Sequence, residues 1–178
     1  MKRKIVAALL VAAVLFCLAV ELASAEGTSS FQLALFNPIQ LRDESMSIFA
    51  LRLSLIYGRN VSVQGLDVGL VNVSTGGSSV GLQWGLVGYN KGNFVGWQHN
   101  FVGITKGHFG GFQSGGVNIM TEGQAFQYGL VNVAETVDGL QLGFVNYTQR
   151  MHGLQIGILN IIRQKENLPV LPIINWMF

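Results

Sequence analysis

The alternation of apolar residues, the repeat spacing and the turn residues of this sequence predict an all-β fold. The arrangement read first is an antiparallel meander of about ten short strands closed into a small outer-membrane-type β-barrel. A β-solenoid of ~14-residue coils is the alternative arrangement of the same strands. The alternation is clearest in Gly153-Leu-Gln-Ile-Gly-Ile-Leu-Asn-Ile161, where Leu154, Ile156 and Ile158 interleave with Gly153, Gln155 and Gly157. A helix would need apolar residues three and four apart, and each interior glycine would cost it about 1 kcal/mol relative to Ala.

The chain opens with Lys2, Arg3 and Lys4, an apolar run from Ile5 to Val20, and Ala23-Ser24-Ala25 as a small-x-small cleavage site. Residues 1–25 therefore read as a secretory signal peptide, and residues 26–178 as a single repeat-built β domain. The competing reading is a retained membrane anchor, for which the run is a little shorter than the ~20 apolar residues of a spanning helix. Cleavage would leave as many acidic as basic residues and remove Cys17, the single cysteine of the chain. A neutral, cysteine-free domain excludes a basic nucleic-acid surface, disulfides and a thiol nucleophile, and suits an oxidising envelope compartment. The expected location is the cell outer membrane or cell surface.

After Ala25 the repeat dominates. Gly139-Leu-Gln-Leu-Gly-Phe-Val-Asn-Tyr147 and the copy at Gly153 define the pattern Gly, apolar, Gln, any, Gly, apolar, apolar, Asn, apolar or aromatic. Looser copies are read from Ala125, Gly111, Asn93, Gly81 and Gly65, with a degenerate one from Ser30. From residue 65 onward these starts are 16, 12, 18, 14, 14 and 14 residues apart. Turn formers such as Ser74-Thr-Gly-Gly-Ser-Ser79 and Asn90-Lys-Gly92 lie between copies. Phe49 to Gly58 and Leu168 to Phe178 complete the strands, the last burdened by Pro169 and Pro172.

In a barrel the apolar stripe faces lipid, and Gly, Gln and Asn fill a narrow lumen. Arg52 and Asp67 are the charges that fall inside strands, and a hairpin over Gly58-Arg59-Asn60-Val61 would set them opposite each other. Ile174, Trp176 and Phe178 share a strand face, as in the C-terminal segment of outer-membrane barrels. In a solenoid the Leu/Ile stripe turns inward and Gln and Asn form ladders. The uneven spacings, and apolar residues such as Val145 and Tyr147 on the other face, weigh against it.

The copies GLQIGILN and GLQLGFVNY, with LRLSLIYG at 51–58 and LPVLPIINW at 168–176, resemble an uncharacterised group of bacterial surface-repeat proteins with ~14-residue repeats. That resemblance covers nearly all of the chain after residue 25 and implies envelope location and repeat architecture, with no activity. The order Gln, any, Gly, two residues, Asn is also similar to the repeats of curli-type fibre subunits.

Chemistry is sparse. His99, His108 and His152 do not fall at zinc-binding spacings, and Ser114 lacks the glycine two residues before it that a nucleophile elbow requires. No catalytic, cofactor-binding or metal residue is assigned, and the chain is not read as an enzyme. Trp84, Trp97 and Trp176, with Tyr57, Tyr89 and Tyr147, fit either interfacial girdles or a solenoid core. The function expected is that of an exported envelope repeat protein with a structural or binding role, its main partner membrane lipid. A secreted, self-associating solenoid module of fibre or adhesin type is the alternative.

Overall fold

The computed structural model describes residues 27–178 and contains strands and turns but no helix. The cleavage site and the preceding residues lie outside the described residues. The strands are β1 (Thr28–Phe36), β2 (Ile39–Gln40), β3 (Ser47–Asn60), β4 (Gln64–Ser74), β5 (Ser78–Asn90), β6 (Asn93–Ile162) and β7 (Val170–Met177). β6 is a 70-residue extended ribbon that winds through several coils without a break in its ladder.

Apart from the short β2, which pairs antiparallel with β1, and from β7, the strands pair in parallel. β1 lies beside β3, β3 beside β4, β4 beside β5 and β5 beside β6. Parallel neighbours in a chain with such short connections cannot come from a barrel meander, which requires antiparallel hairpins. The architecture is a β-solenoid, and the barrel expectation is corrected.

The register also shows why the spacings misled. Gly81 pairs with Gly96, not with Asn93, so the true copy is Gly96-Trp-Gln-His-Asn-Phe-Val-Gly103. Asn100 there takes the place of the middle glycine, and Gly103 that of the asparagine. Equivalent positions at Gly65, Gly81, Gly96, Gly111, Ala125, Gly139 and Gly153 thus follow coils of 16, 15, 15, 14, 14 and 14 residues. Such small changes are absorbed in the turns.

Each nine-residue copy is two short strands meeting at a corner. In the copy from Gly139, Gln141 points inward before the corner and Asn146 points inward after it, although one number is odd and the other even. The corner at Gly143 shifts the phase of the alternation. Glycine is required there because a Cβ would run into the Gly129 carbonyl of the preceding coil. At Gly153, φ is +147° and a Cβ would meet the Gly139 carbonyl, so both demands select glycine.

The interior is consequently polar on the corner side. Among the described residues 27 polar or charged side chains are buried against 11 apolar ones, which inverts the usual composition of a core. The apolar group, including Phe94, Phe109, Met120, Val137, Met151 and Ile162, fills the opposite end of the coil near the turns. Phe94 and Phe109 stack there with centroids 5.7 Å apart. The Leu/Ile stripe faces outward, contrary to the inward placement expected for a solenoid.

Both ends of the stack differ from its middle. At the N-terminal end, Gln32 donates to the Arg42 carbonyl at 2.9 Å and accepts from the Arg42 N–H at 2.8 Å. The loop after β2 thereby closes the amide. At the C-terminal end β7 pairs antiparallel with the last coil, Gln155 opposite Asn175. The terminal segment is thus a cap and not a barrel-closing strand. As an edge strand it tolerates Pro172, and Ile173 adopts φ +67°, strained for a β-branched residue.

Candidate functional site

Two side-chain ladders fix the coils in register. Gln155, Gln141, Gln127, Gln113 and Gln98 each donate from Nε2 to the Oε1 of the glutamine one coil earlier, the last to Gln83, at 2.6–2.8 Å. Gln83 donates to Asp67 Oδ2 at 2.8 Å, and Arg52 grips the same carboxylate through Nε at 2.7 Å and Nη2 at 2.8 Å. Asparagines run the other way. Asn118, Asn132 and Asn146 each donate to the asparagine one coil later at 2.8 Å, ending on Asn160. The two columns of amide dipoles are opposed and partly cancel. Where the donors of the glutamine column converge, the buried carboxylate receives them.

Arg52 and Asp67 do face each other inside the fold, as the sequence suggests, but as register partners of parallel strands and not across a hairpin. Leu142 stacks over Ile156, since Gln141 bonds Gln155 and Gly143 lies under Gly157.

With the polar groups inside, the outer surface is left apolar and almost without charge. On the first face, one row passes through Leu51, Leu66, Leu82 and Trp97 to Phe112, and the next through Leu53, Val68, Trp84 and His99 to Ser114. Trp84 is 57% exposed, Trp97 47% and Tyr128 54%. Trp97 stacks on Phe112 at 5.8 Å between centroids, and Phe112 meets Phe126 at 5.1 Å. At the corner Leu86, Phe101, Leu130, Phe144 and Ile158 project into solvent. The second face presents Val71, Val87 and Val102 beside Val73, Tyr89 and Ile104. Charged side chains such as Lys91, Lys106, Glu122, Glu135 and Arg150 occupy the turns at the far edge.

These six aromatics therefore belong to neither a girdle nor a core: Trp84 and Trp97 lie on the first face, Tyr57, Tyr89 and Tyr147 on the second, and Trp176 on the cap. His99 and Ser114, dismissed separately in the sequence, are brought together. Ser114 Oγ accepts from Trp97 Nε1 at 2.9 Å and lies 2.8 Å from His99 Nδ1, so its own hydrogen is free for the ring nitrogen. This pair holds the two rings in place. His152 lies 3.2 Å from Asp138 at the exposed turn edge, and His108 sits in another turn. Among the described residues no three His, Cys, Asp or Glu side chains are grouped to hold a metal. No protein-family model, curated protein or solved structure matches this chain.

Proposed function

We propose that this chain is an exported cell-surface β-solenoid module whose role is structural or adhesive and is exercised by self-association through its outer faces. The uncharged outer surface carries this reading. Contiguous apolar patches larger than a few hundred Å² are rare on monomers and mark interaction sites. Association is lateral, because the parallel stack is terminated by the Arg42 loop at one end and by antiparallel β7 at the other. This separates the chain from fibre subunits that grow end to end, despite the similar Gln and Asn repeat. The resemblance to bacterial surface-repeat proteins supports the envelope location.

A bilayer surface is the second reading, favoured by the separation of the charged turn edge from the uncharged corner row. Sedimentation of residues 26–178 across a concentration series, with and without lipid vesicles, tests the proposal. Discrete, reversible oligomers without lipid are expected. A strictly monomeric species at all concentrations would contradict self-association.

A further inference from the structure

From the order of side chains on the first face, we infer that its partner is a second copy of this chain, docked antiparallel about a two-fold axis. The inference rests on the self-association reading and specifies its interface.

Size discriminates between the faces. Eight coils at ~4.8 Å carry two apolar rows and the corner row on the first face, an area of about 800 Å². The second face carries two rows and about 500 Å². A stable interface buries about 800 Å² per partner, whereas an ordinary monomer's largest patch is about 300–600 Å². Only the first face reaches the required size, and its aromatic centre has the composition of binding hot spots.

Symmetry is written in the rows. An isologous interface needs a patch that complements itself when reversed, so that residue i meets j and j meets i. Among the eight coils from Leu53 to Ile156, which are flanked by Leu33 of β1 and Ile174 of β7, the middle falls between His99 and Ser114, the two polar members of their row. Stepping outward from that point, Trp84 matches Tyr128, Val68 matches Leu142, and Leu53 matches Ile156. The neighbouring row from Leu51 to Leu154 reads three leucines, Trp97, Phe112, Phe126 and two leucines, again aromatic at the centre and aliphatic at both ends. A two-fold axis parallel to the strands keeps each row over itself and reverses the coil order. It therefore sets Trp84 over Tyr128 and aliphatic on aliphatic beyond them in the first row, and in the neighbouring row Trp97 over Phe112, Leu82 over Phe126 and leucine on leucine at the two outer levels. His99 and Ser114 are already bonded to each other, so the centre can be covered without stranding them. With Cys17 lying before the proposed cleavage site, residues 26–178 hold no cysteine to interfere with a cross-linking test.

Val68→Cys and Leu142→Cys proteins are prepared separately, mixed, and treated with a bis-maleimide of ~10 Å reach, the spacing of packed sheets. Cross-linked dimer is expected in the mixture and in neither protein alone, because each position is about 24 Å from its own mate across the axis. In parallel, sedimentation of Trp84→Lys should show dimer association weakened at least 100-fold, while Val131→Lys on the second face leaves it unchanged and circular dichroism reports both as folded. Homodimeric cross-links in the single proteins, or loss of the dimer only in Val131→Lys, would overturn this interface and leave self-association standing. A monomeric wild type that floats with phosphatidylethanolamine–phosphatidylglycerol vesicles would overturn both.

Discussion

Arg52 and Asp67 occupy adjacent steps of the glutamine column and replace two glutamines with a bidentate ion pair, Nε to Oδ1 at 2.7 Å and Nη2 to Oδ2 at 2.8 Å. Both are buried, and Gln83 completes the carboxylate's bonding. Removing one charge leaves the other uncompensated in the interior. Asp67→Asn should therefore cost about 3–5 kcal/mol in denaturant unfolding. The double variant Arg52→Gln with Asp67→Gln restores a uniform amide column, and its stability should lie within about 1 kcal/mol of wild type or above it. Equal losses in the single and double variants would contradict the ladder description.

Gln127 sits in the middle of the same column, donating to Gln113 and accepting from Gln141 at 2.7 and 2.6 Å. Gln127→Leu removes a donor from one neighbour and an acceptor from the other. Each stranded group costs about 1–3 kcal/mol, so both together should lower unfolding free energy by several kcal/mol. Gln124→Leu, at an exposed turn position, should change it by less than about 0.5 kcal/mol.

Much of this was legible in the sequence, and the failures have definite causes. Strands, turns and the Gln and Asn repeat positions follow from period-two alternation and glycine placement. The coil phase did not follow, because Asn100 and Gly103 exchange the residue types expected at those two positions and so make Asn93 resemble a copy start. The resulting spacings argued against a stack that the true register supports. The sidedness was also hidden: the corner at Gly143 puts Gln141 and Asn146 on the same side, while unbroken alternation would separate them. Without that corner Leu140 and Val145 fall on opposite faces of one strand, which suggests a lipid-facing stripe with a lumen behind it. With it, both are outward residues of a polar-cored solenoid. The first face depends on the corrected phase, because its rows line up only when Gly96 is set beside Gly81.

The terminal cap gives a third expectation. β7 covers the last parallel coil, leaving Gln155 Oε1 buried without a hydrogen-bond partner, an acceptor that a further glutamine would satisfy. A chain ending at Glu166 uncovers that edge. With the Arg42 loop still closing the other end, electron microscopy should show particles paired end to end through the uncovered coil for the shortened chain and none for the full one. Identical particles from both would mean that β7 does not limit growth.

Export makes a fourth. Mass spectrometry of the protein recovered from the cell envelope should find Glu26 as its first residue, set by Ala23 and Ala25. An N-terminus at Met1, or a lipid on Cys17, would contradict the cleavage proposed.

The parallel stacking of successive coils is the central structural claim, and one pair of cysteine variants tests it. Leu142 lies over Ile156 in the neighbouring coil, about 4.8 Å away between strands, whereas Ile158 is two residues further on and past the corner at Gly157. A disulfide needs Cα atoms roughly 4.4–6.8 Å apart. Oxidation rates of Leu142→Cys with Ile156→Cys and of Leu142→Cys with Ile158→Cys should therefore differ, the first pair closing faster. Faster closure of the second pair is the signature of an antiparallel hairpin between these copies and would contradict the solenoid.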